Sequence, residues 1–394
     1  MLMAAGAGAV TIPAELGTQY TYSIGSAPIT CSICKTNDPA KFIIAYKEFS
    51  SRDIKAQVLT VSGTAISFGS QFTVGNTNNS GRQNPSIVWD STYNKAYVIL
   101  TEANQSYYLG IYVLTMSGTS LSKGSLQVIE TDSNFAVPES VGQSIWYNTA
   151  QSKWMVYYKN NTNSLRARTF TSNGTTLTFS AQQNLGLPAS VSTWSIYHVD
   201  AVNTTYVGLP GYDGESGYYS YRLATITLSG TTFTASGPST LNSRIGNYSE
   251  LQCMIYQPST NQLLNFYRED SGNVQKVVAM TPTFGGFNLG SAITMNPSPA
   301  APLEGIYDEF SGNPMALSIR YDGSYNNYLL QFRASGNVVT EQLNLANFNP
   351  SYAAFGQTCY AADTVNNRTI IAYGSVPGGG AGELYVRSIR GQKN

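Results

Sequence analysis

One short turn recurs along this 394-residue chain at a near-constant interval, and no other feature limits its fold as strongly. Ser62-Gly63-Thr64, Ser117-Gly118-Thr119, Asn173-Gly174-Thr175 and Ser229-Gly230-Thr231 each separate two alternating apolar runs. Weaker copies stand at Gly285-Gly286 and Ser335-Gly336-Asn337, and a last glycine at Gly391. Taking Gly285 for the fifth copy, the glycines are 55, 56, 56, 55, 51 and 55 residues apart. Glycine reaches positive φ without steric cost, which two-residue hairpin turns of the primed types require. Seven such turns imply seven copies of one supersecondary unit.

The second copy shows the unit best. Residues 85–90, 95–102, 108–116 and 121–129 alternate apolar and polar side chains, are rich in β-branched and aromatic residues, and are bounded by Asn, Asp, Ser and Gly. They read as four antiparallel strands, and no segment has a convincing helical period. On this template the units span about 28–75, 85–132, 140–186, 192–242, 249–295, 302–345 and 354–390. The last supplies only three strands. Its missing partner stands at the other end, where Gly17-Thr18-Gln19-Tyr20-Thr21-Tyr22-Ser23-Ile24-Gly25-Ser26 matches fourth-strand segments such as Gly63 to Ser70. A leading strand over 17–26 that pairs beside the carboxy-terminal hairpin would close a ring and leave no free sheet edge. The expected architecture is therefore all-β: a seven-bladed β-propeller occupying 17–394 as one domain, preceded by an arm over 1–16 that is flexible or bound to a partner.

Charged residues make up 11% of the chain and cancel to zero, so the basic footprint of a nucleic-acid or anionic-membrane binder is missing. No apolar run reaches the length of a membrane-spanning helix, and Met1 to Val10 lacks the basic leader of a signal peptide. Four cysteines do not make a disulfide scaffold. Cys253 and Cys359 fall at one register in two units, which reads as a small buried slot. Cys31-x-x-Cys34 has no second pair and no histidine near it, short of a tetrahedral metal set. No metal or cofactor site is expected.

If the strands run outward from an axis, the second-to-third and unit-to-unit connections share one end. They are the longer and more irregular ones, and loops on a rigid scaffold commonly bear function. Tyr107, Trp194, Tyr212, Asp213, Glu215, Tyr218, Tyr321, Asp322 and Tyr325 are the candidate contact residues there. The tyrosines and Trp194 could stack on sugar rings, although packing between units also accounts for such aromatics. The carboxylates invite a glycosidase reading. Against it, Asp38, Asp90, Asp308 and Asp363 recur at first-turn positions where Asp bonds its own backbone. The Ser-x-Asp-x-Gly-x-x-Trp box of sialidase-type propellers and the opening nucleophile motif of five-bladed glycosidases are absent, and Asp270-Ser271-Gly272-Asn273 is too short for a twelve-residue calcium loop.

The blade formula, Lys41-Phe42-Ile43-Ile44-Ala45-Tyr46 followed by Val58 to Gly69, resembles propeller repeats in virion proteins of tailed bacteriophages, including tail-associated ones. The resemblance covers nearly the whole chain and reports blade architecture. It implies a non-enzymatic structural component of the virion, in the tail or on the capsid, assembled in the host cytoplasm in several copies. Such a component would dock other virion proteins or attach to the host surface, a host-surface glycan included, through its loops. A carbohydrate-binding propeller and a glycoside hydrolase are the alternatives.

Overall fold

The computed structural model describes residues 15–23, 28–48, 51–77, 85–103, 108–131, 144–159, 164–188, 195–212, 219–245, 253–269, 274–296, 299–321, 325–349, 359–375, 383–391 and 393. Seven antiparallel sheets of four strand positions form seven blades, six of them built in sequence order and the seventh completed by a strand from the other end of the chain. Blade 1 runs Pro28–Lys35, Lys41–Glu48, Asp53–Ser62 and Ala65–Phe68; blade 4 runs Ser195–Val199, Thr204–Tyr212, Tyr219–Ser229 and Thr232–Ile245. In blades 1 to 3 the expected single fourth strand is split by an irregular step. In blade 1 both pieces, Ala65–Phe68 and Phe72–Asn76, pair with the same third strand.

The second strands explain why the units assemble. Lys41–Glu48 is buried at every position after its first, so both faces of the strand are covered. A single blade cannot bury two faces. The apolar clusters accordingly lie between blades, one at each of seven seams among the described residues. Ile43, Val58, Ile87 and Val98 join blades 1 and 2, and Tyr97, Ile111, Trp154 and Phe170 join blades 2 and 3. The next four clusters continue the series around the ring. The seventh packs Ile33, Phe42 and Leu59 of blade 1 against Ile370, Leu384 and Val386 of blade 7. The ring is closed.

Closure uses the leading strand, as the sequence suggested, two residues earlier than expected. Glu15–Ser23 pairs antiparallel with Glu383–Arg390, with Glu15 opposite Arg390, Ser23 opposite Glu383 and a bulge between Leu16 and Gln19. Arg387 Nε donates to the Gly17 carbonyl at 2.7 Å and Tyr373 to Gln19 Oε1 at 2.7 Å. Arg368 at 2.6 Å and Arg390 at 2.9 Å hold the two oxygens of Glu15. The Arg368 hydrogen bond, foremost, lowers the Glu15 carboxyl below its ordinary value. Residues 1–14 of the expected arm lie outside the described residues.

Six of the seven marker glycines have positive φ, from 55° at Gly336 to 92° at Gly174. In blades 1, 2 and 4 glycine is the first residue of a two-residue turn, followed by a threonine whose φ is not positive, which is the type II′ arrangement. Gly391 is the exception and makes no hairpin, because the strand that would follow it comes from the other end of the chain. Its N–H instead donates to Asp308 Oδ2 at 2.9 Å. A β-carbon there would lie 2.6 Å from that oxygen, so the glycine answers to close approach rather than to a turn.

Candidate functional site

The turns between first and second strands gather at one end of the axis. Asp90 Oδ1 accepts from the backbone of Thr92 at 2.9 Å and of Tyr93 at 3.3 Å; Asp363 Oδ1 accepts from Val365 and Asn366, both at 3.2 Å. Asp308 does the same from Ser311. These carboxylates therefore serve their own turns. Asp38 departs from the expected register: the ladder makes Thr36 the counterpart of Asp90, and Asp38 stands two residues later, accepting from Ala40. In blades 2 to 7 a residue near the turn's end is left-handed, at Asn94, Ser152, Asn203, Asn261, Gly312 and Asn367. Asn and Gly tolerate that conformation best.

Just before these turns, one register position carries Lys35, Trp89, Tyr147, His198, Tyr256, Tyr307 and Ala362 in blades 1 to 7. Towards blades 1 to 3 this collar opens into a depression of about 340 Å³. The apolar side chains of Ile33, Cys34, Val88, Ile145 and Ala361 and the rings of Trp89, Trp146, Tyr147 and Trp154 line its walls, with Lys35 beside them. Three of the chain's four tryptophans thus meet at one place.

The walls are held from behind. Trp89 Nε1 donates to Asn37 Oδ1 at 3.0 Å, and Asn37 Nδ2 donates to the Ser91 carbonyl at 2.9 Å, tying the turns of blades 1 and 2. Lys35 Nζ donates to Thr364 Oγ1 of blade 7. Trp146 packs on Tyr197 of blade 4 with ring centroids 5.1 Å apart, and burial pushes the Tyr197 phenol up to about 12. Tyr147 lies across Trp154 at 5.0 Å and is 42% exposed, whereas Trp154 is buried. An exposed ring braced on buried ones loses little freedom when a flat ligand covers it. The arrangement suits stacking on a ring-shaped ligand, with the Lys35 ammonium and the Tyr147 hydroxyl as polar handles.

Of the nine residues nominated from the sequence, Tyr212, Tyr321 and Tyr325 stand where second and third strands meet, at the opposite end of the blades. Tyr107, Trp194, Asp213, Glu215, Tyr218 and Asp322 lie outside the described residues. Tyr212 ends its strand opposite Tyr219, and Tyr321 faces Tyr325 across a hairpin end. Sequence reasoning missed the aromatic collar because it searched loops. The signal was present as an aromatic in the same pre-turn position of blades 2, 3, 5 and 6.

The two cysteines of Cys31-x-x-Cys34 are three residues apart on a strand and therefore point to opposite faces, Cys31 into the seam with blade 7 and Cys34 into the seam with blade 2. They cannot share an ion. Among the described residues no group of three His, Cys, Asp or Glu side chains is placed to hold a metal, and no helix is long and apolar enough to cross a membrane. Cys253 and Cys359 do share the expected slot, buried at the start of their first strands; Ser32 and Ser86 hold it in blades 1 and 2. There Ser32 Oγ accepts from the Ile87 backbone at 3.2 Å and Ser86 Oγ from Ser144 at 3.0 Å, each linking one blade to the next.

No family model matches the chain, and no curated protein does. Solved structures of similar shape do exist. A protein of unknown function from Dyadobacter fermentans is 8% identical, with a TM-score of 0.54 over 96% of this chain and 99% of that one. An oligogalacturonate lyase solved in complex with manganese is 11% identical, with a TM-score of 0.52 over 96% and 97%. A protein from Lactobacillus plantarum is 10% identical, with a TM-score of 0.51 over 81% and 86%. At such identities the likeness is one of fold. That fold accommodates enzymes, the lyase among them, and for this chain it is the seven-bladed β-propeller.

Proposed function

We propose that this propeller is a non-enzymatic attachment component of a tailed-phage particle, in the tail or on the capsid, that holds a saccharide ring of the host surface in the tryptophan-walled depression. The observation behind this reading is the convergence of Trp89, Trp146 and Trp154 with the exposed Tyr147 on one axial opening. Ring faces, apolar side chains and the Lys35 ammonium make a lining suited to binding. The near-neutral, hydroxyl-rich composition and the blade formula support the virion placement. The other end of the blades would then dock neighbouring virion proteins, so one copy would bridge particle and cell.

A glycan array probed with the wild-type chain and with Tyr147→Ala tests the binding role. Tyr147 is exposed, so its loss leaves the fold intact. We expect a defined set of glycans bound by the wild type, quenching of tryptophan fluorescence on titration, and about tenfold weaker binding by the variant, equivalent to about 1.4 kcal/mol. An empty array, or binding unchanged in Tyr147→Ala, refutes the assignment. The virion placement is tested by mass spectrometry of purified particles of the phage that encodes the chain. Absence of its peptides refutes that part.

A further inference from the structure

The seam between blades 1 and 7 contains a pair of thiols that neither the fold nor the proposed binding role uses. Cys31 lies in the first strand of blade 1 and Cys359 opens the first strand of blade 7, 328 positions away in sequence. Their sulfurs stand 2.9 Å apart. That is well inside the roughly 3.5–4.0 Å of ordinary nonbonded contact between heavy atoms. It is about 0.9 Å longer than an S–S bond of about 2.05 Å. The Cys31 thiol also reaches the Ala372 carbonyl at 3.3 Å, and Ala372 is the ladder partner of Cys359, so one rung of blade 7 holds both sulfurs in place. Both residues are buried, at 5% and 8% exposure.

We propose that Cys31 and Cys359 are a disulfide-forming pair that covalently locks the closing seam of the ring. The other two cysteines are spectators. Cys34 faces the seam with blade 2, where burial drives its thiol far above the ordinary value, and Cys253 belongs to blade 5. Blade 7 is otherwise tied to blade 1 by the leading strand, by apolar packing and by the hydrogen bond from Lys35 to Thr364. The cross-link adds a tie that survives detachment of that strand. It also encloses the longest loop these cysteines could close, which constrains the unfolded chain most.

The chemistry balances with a low-molecular-weight disulfide such as glutathione disulfide as oxidant. The Cys31 thiolate attacks one sulfur of the oxidant and expels a glutathione thiolate. The Cys359 thiolate then attacks the Cys31 sulfur of the mixed disulfide and expels the second glutathione. The two thiol protons pass, by way of solvent, to the two expelled glutathione thiolates and two electrons pass to the oxidant, leaving one protein disulfide and two glutathione thiols. Burial makes transient opening of the seam a precondition, so the lock stays unset where thiols are kept reduced and sets slowly in an oxidising medium. This inference does not depend on what the depression binds.

The test uses the full chain, incubated with glutathione disulfide or with dithiothreitol, then alkylated in denaturant and digested. Expected for the oxidised sample are a cross-linked peptide joining Cys31 to Cys359, two alkylated residues at Cys34 and Cys253, faster migration on a non-reducing denaturing gel, and a melting temperature several degrees above that of the reduced sample. Cys359→Ser, which places in blade 7 the residue that blades 1 and 2 already carry at that slot, should fold and abolish both the gel shift and the thermal gain. Four alkylatable thiols after oxidation, stable glutathione adducts without a cross-link, or a cross-link involving Cys34 or Cys253 would each overturn the proposal.

Discussion

A single methyl group placed at Gly290 should open a seam, and the same methyl at Gly124 should not. Both glycines follow the fourth residue of the fourth strand counted from its hairpin, since Leu289 pairs with Met280 and Lys123 with Leu114. Neither has positive φ, so the backbone accepts alanine at both. A β-carbon on Gly290 would lie 1.4 Å from the carbonyl oxygen of Asn337, in the hairpin turn of blade 6. On Gly124 the nearest atom is the Val113 carbonyl oxygen at 3.9 Å. Restoring an ordinary contact of about 3.4 Å at Gly290 requires the neighbouring turn to retreat by about 2 Å, which overpacks the seam at a cost of about 1–3 kcal/mol. The retreat also breaks the hydrogen bond from Thr281 Oγ1 to Asn337 Oδ1, worth about 1 kcal/mol. Together these give about 2–4 kcal/mol. For 394 residues unfolding as one unit, an unfolding entropy of about 0.8 kcal/mol/K turns this into a melting-point loss of roughly 2–5 °C. Gly124→Ala should be neutral or stabilising by up to about 1 kcal/mol, through the unfolded state. Calorimetric melts of the two variants beside the wild type decide the matter. Equal stability of Gly290→Ala and wild type, or equal losses in both variants, would refute the close-approach argument.

Other consequences can be measured on the same protein. Tyr206 donates to the carbonyls of Gly286 at 2.8 Å and Thr283 at 3.0 Å, pinning the blade 5 hairpin to blade 4. Tyr206→Phe leaves those carbonyls without that donor and should cost about 1–3 kcal/mol in a denaturant titration. Burial lowers the His198 pKa below 6.5, against the opposing pull of Asp200 at 3.5 Å. The unfolded chain therefore takes up the proton first, so the contribution of His198 is complete above about pH 6.5 and declines as the pH falls towards the folded value. A His198→Gln variant should show a shallower loss of urea midpoint between pH 7.5 and 5.5; an unchanged slope would assign that loss to other groups. Glu15→Gln removes a carboxylate shared by Arg368 and Arg390. Because Glu15 is more than a third exposed, the loss should not exceed about 1 kcal/mol. Hydrogen exchange should accelerate in 15–23 and 383–390 and stay unchanged in blades 2 to 5.

The order of the strands, their antiparallel pairing, the number of blades and closure by the leading segment were all legible in the sequence. Each follows from local rules repeated seven times: a glycine that reaches positive φ, an alternating apolar run, and a last unit one strand short. What the sequence did not disclose depends on which residues of different blades come together. Trp89, Trp146 and Trp154 read as ordinary strand aromatics until the ring brings the first strand of blade 2 and the first two strands of blade 3 beside one opening. Cys31 and Cys359 stand at opposite ends of the chain, and only closure places them at 2.9 Å. The Gly391 marker likewise looked like a seventh hairpin and proved to be a contact with Asp308 of blade 6. Periodicity along one chain fixes the unit, because hydrogen bonding and side-chain alternation are local. The axial cavity and the seam chemistry arise between units, where distance in sequence says nothing about distance in space.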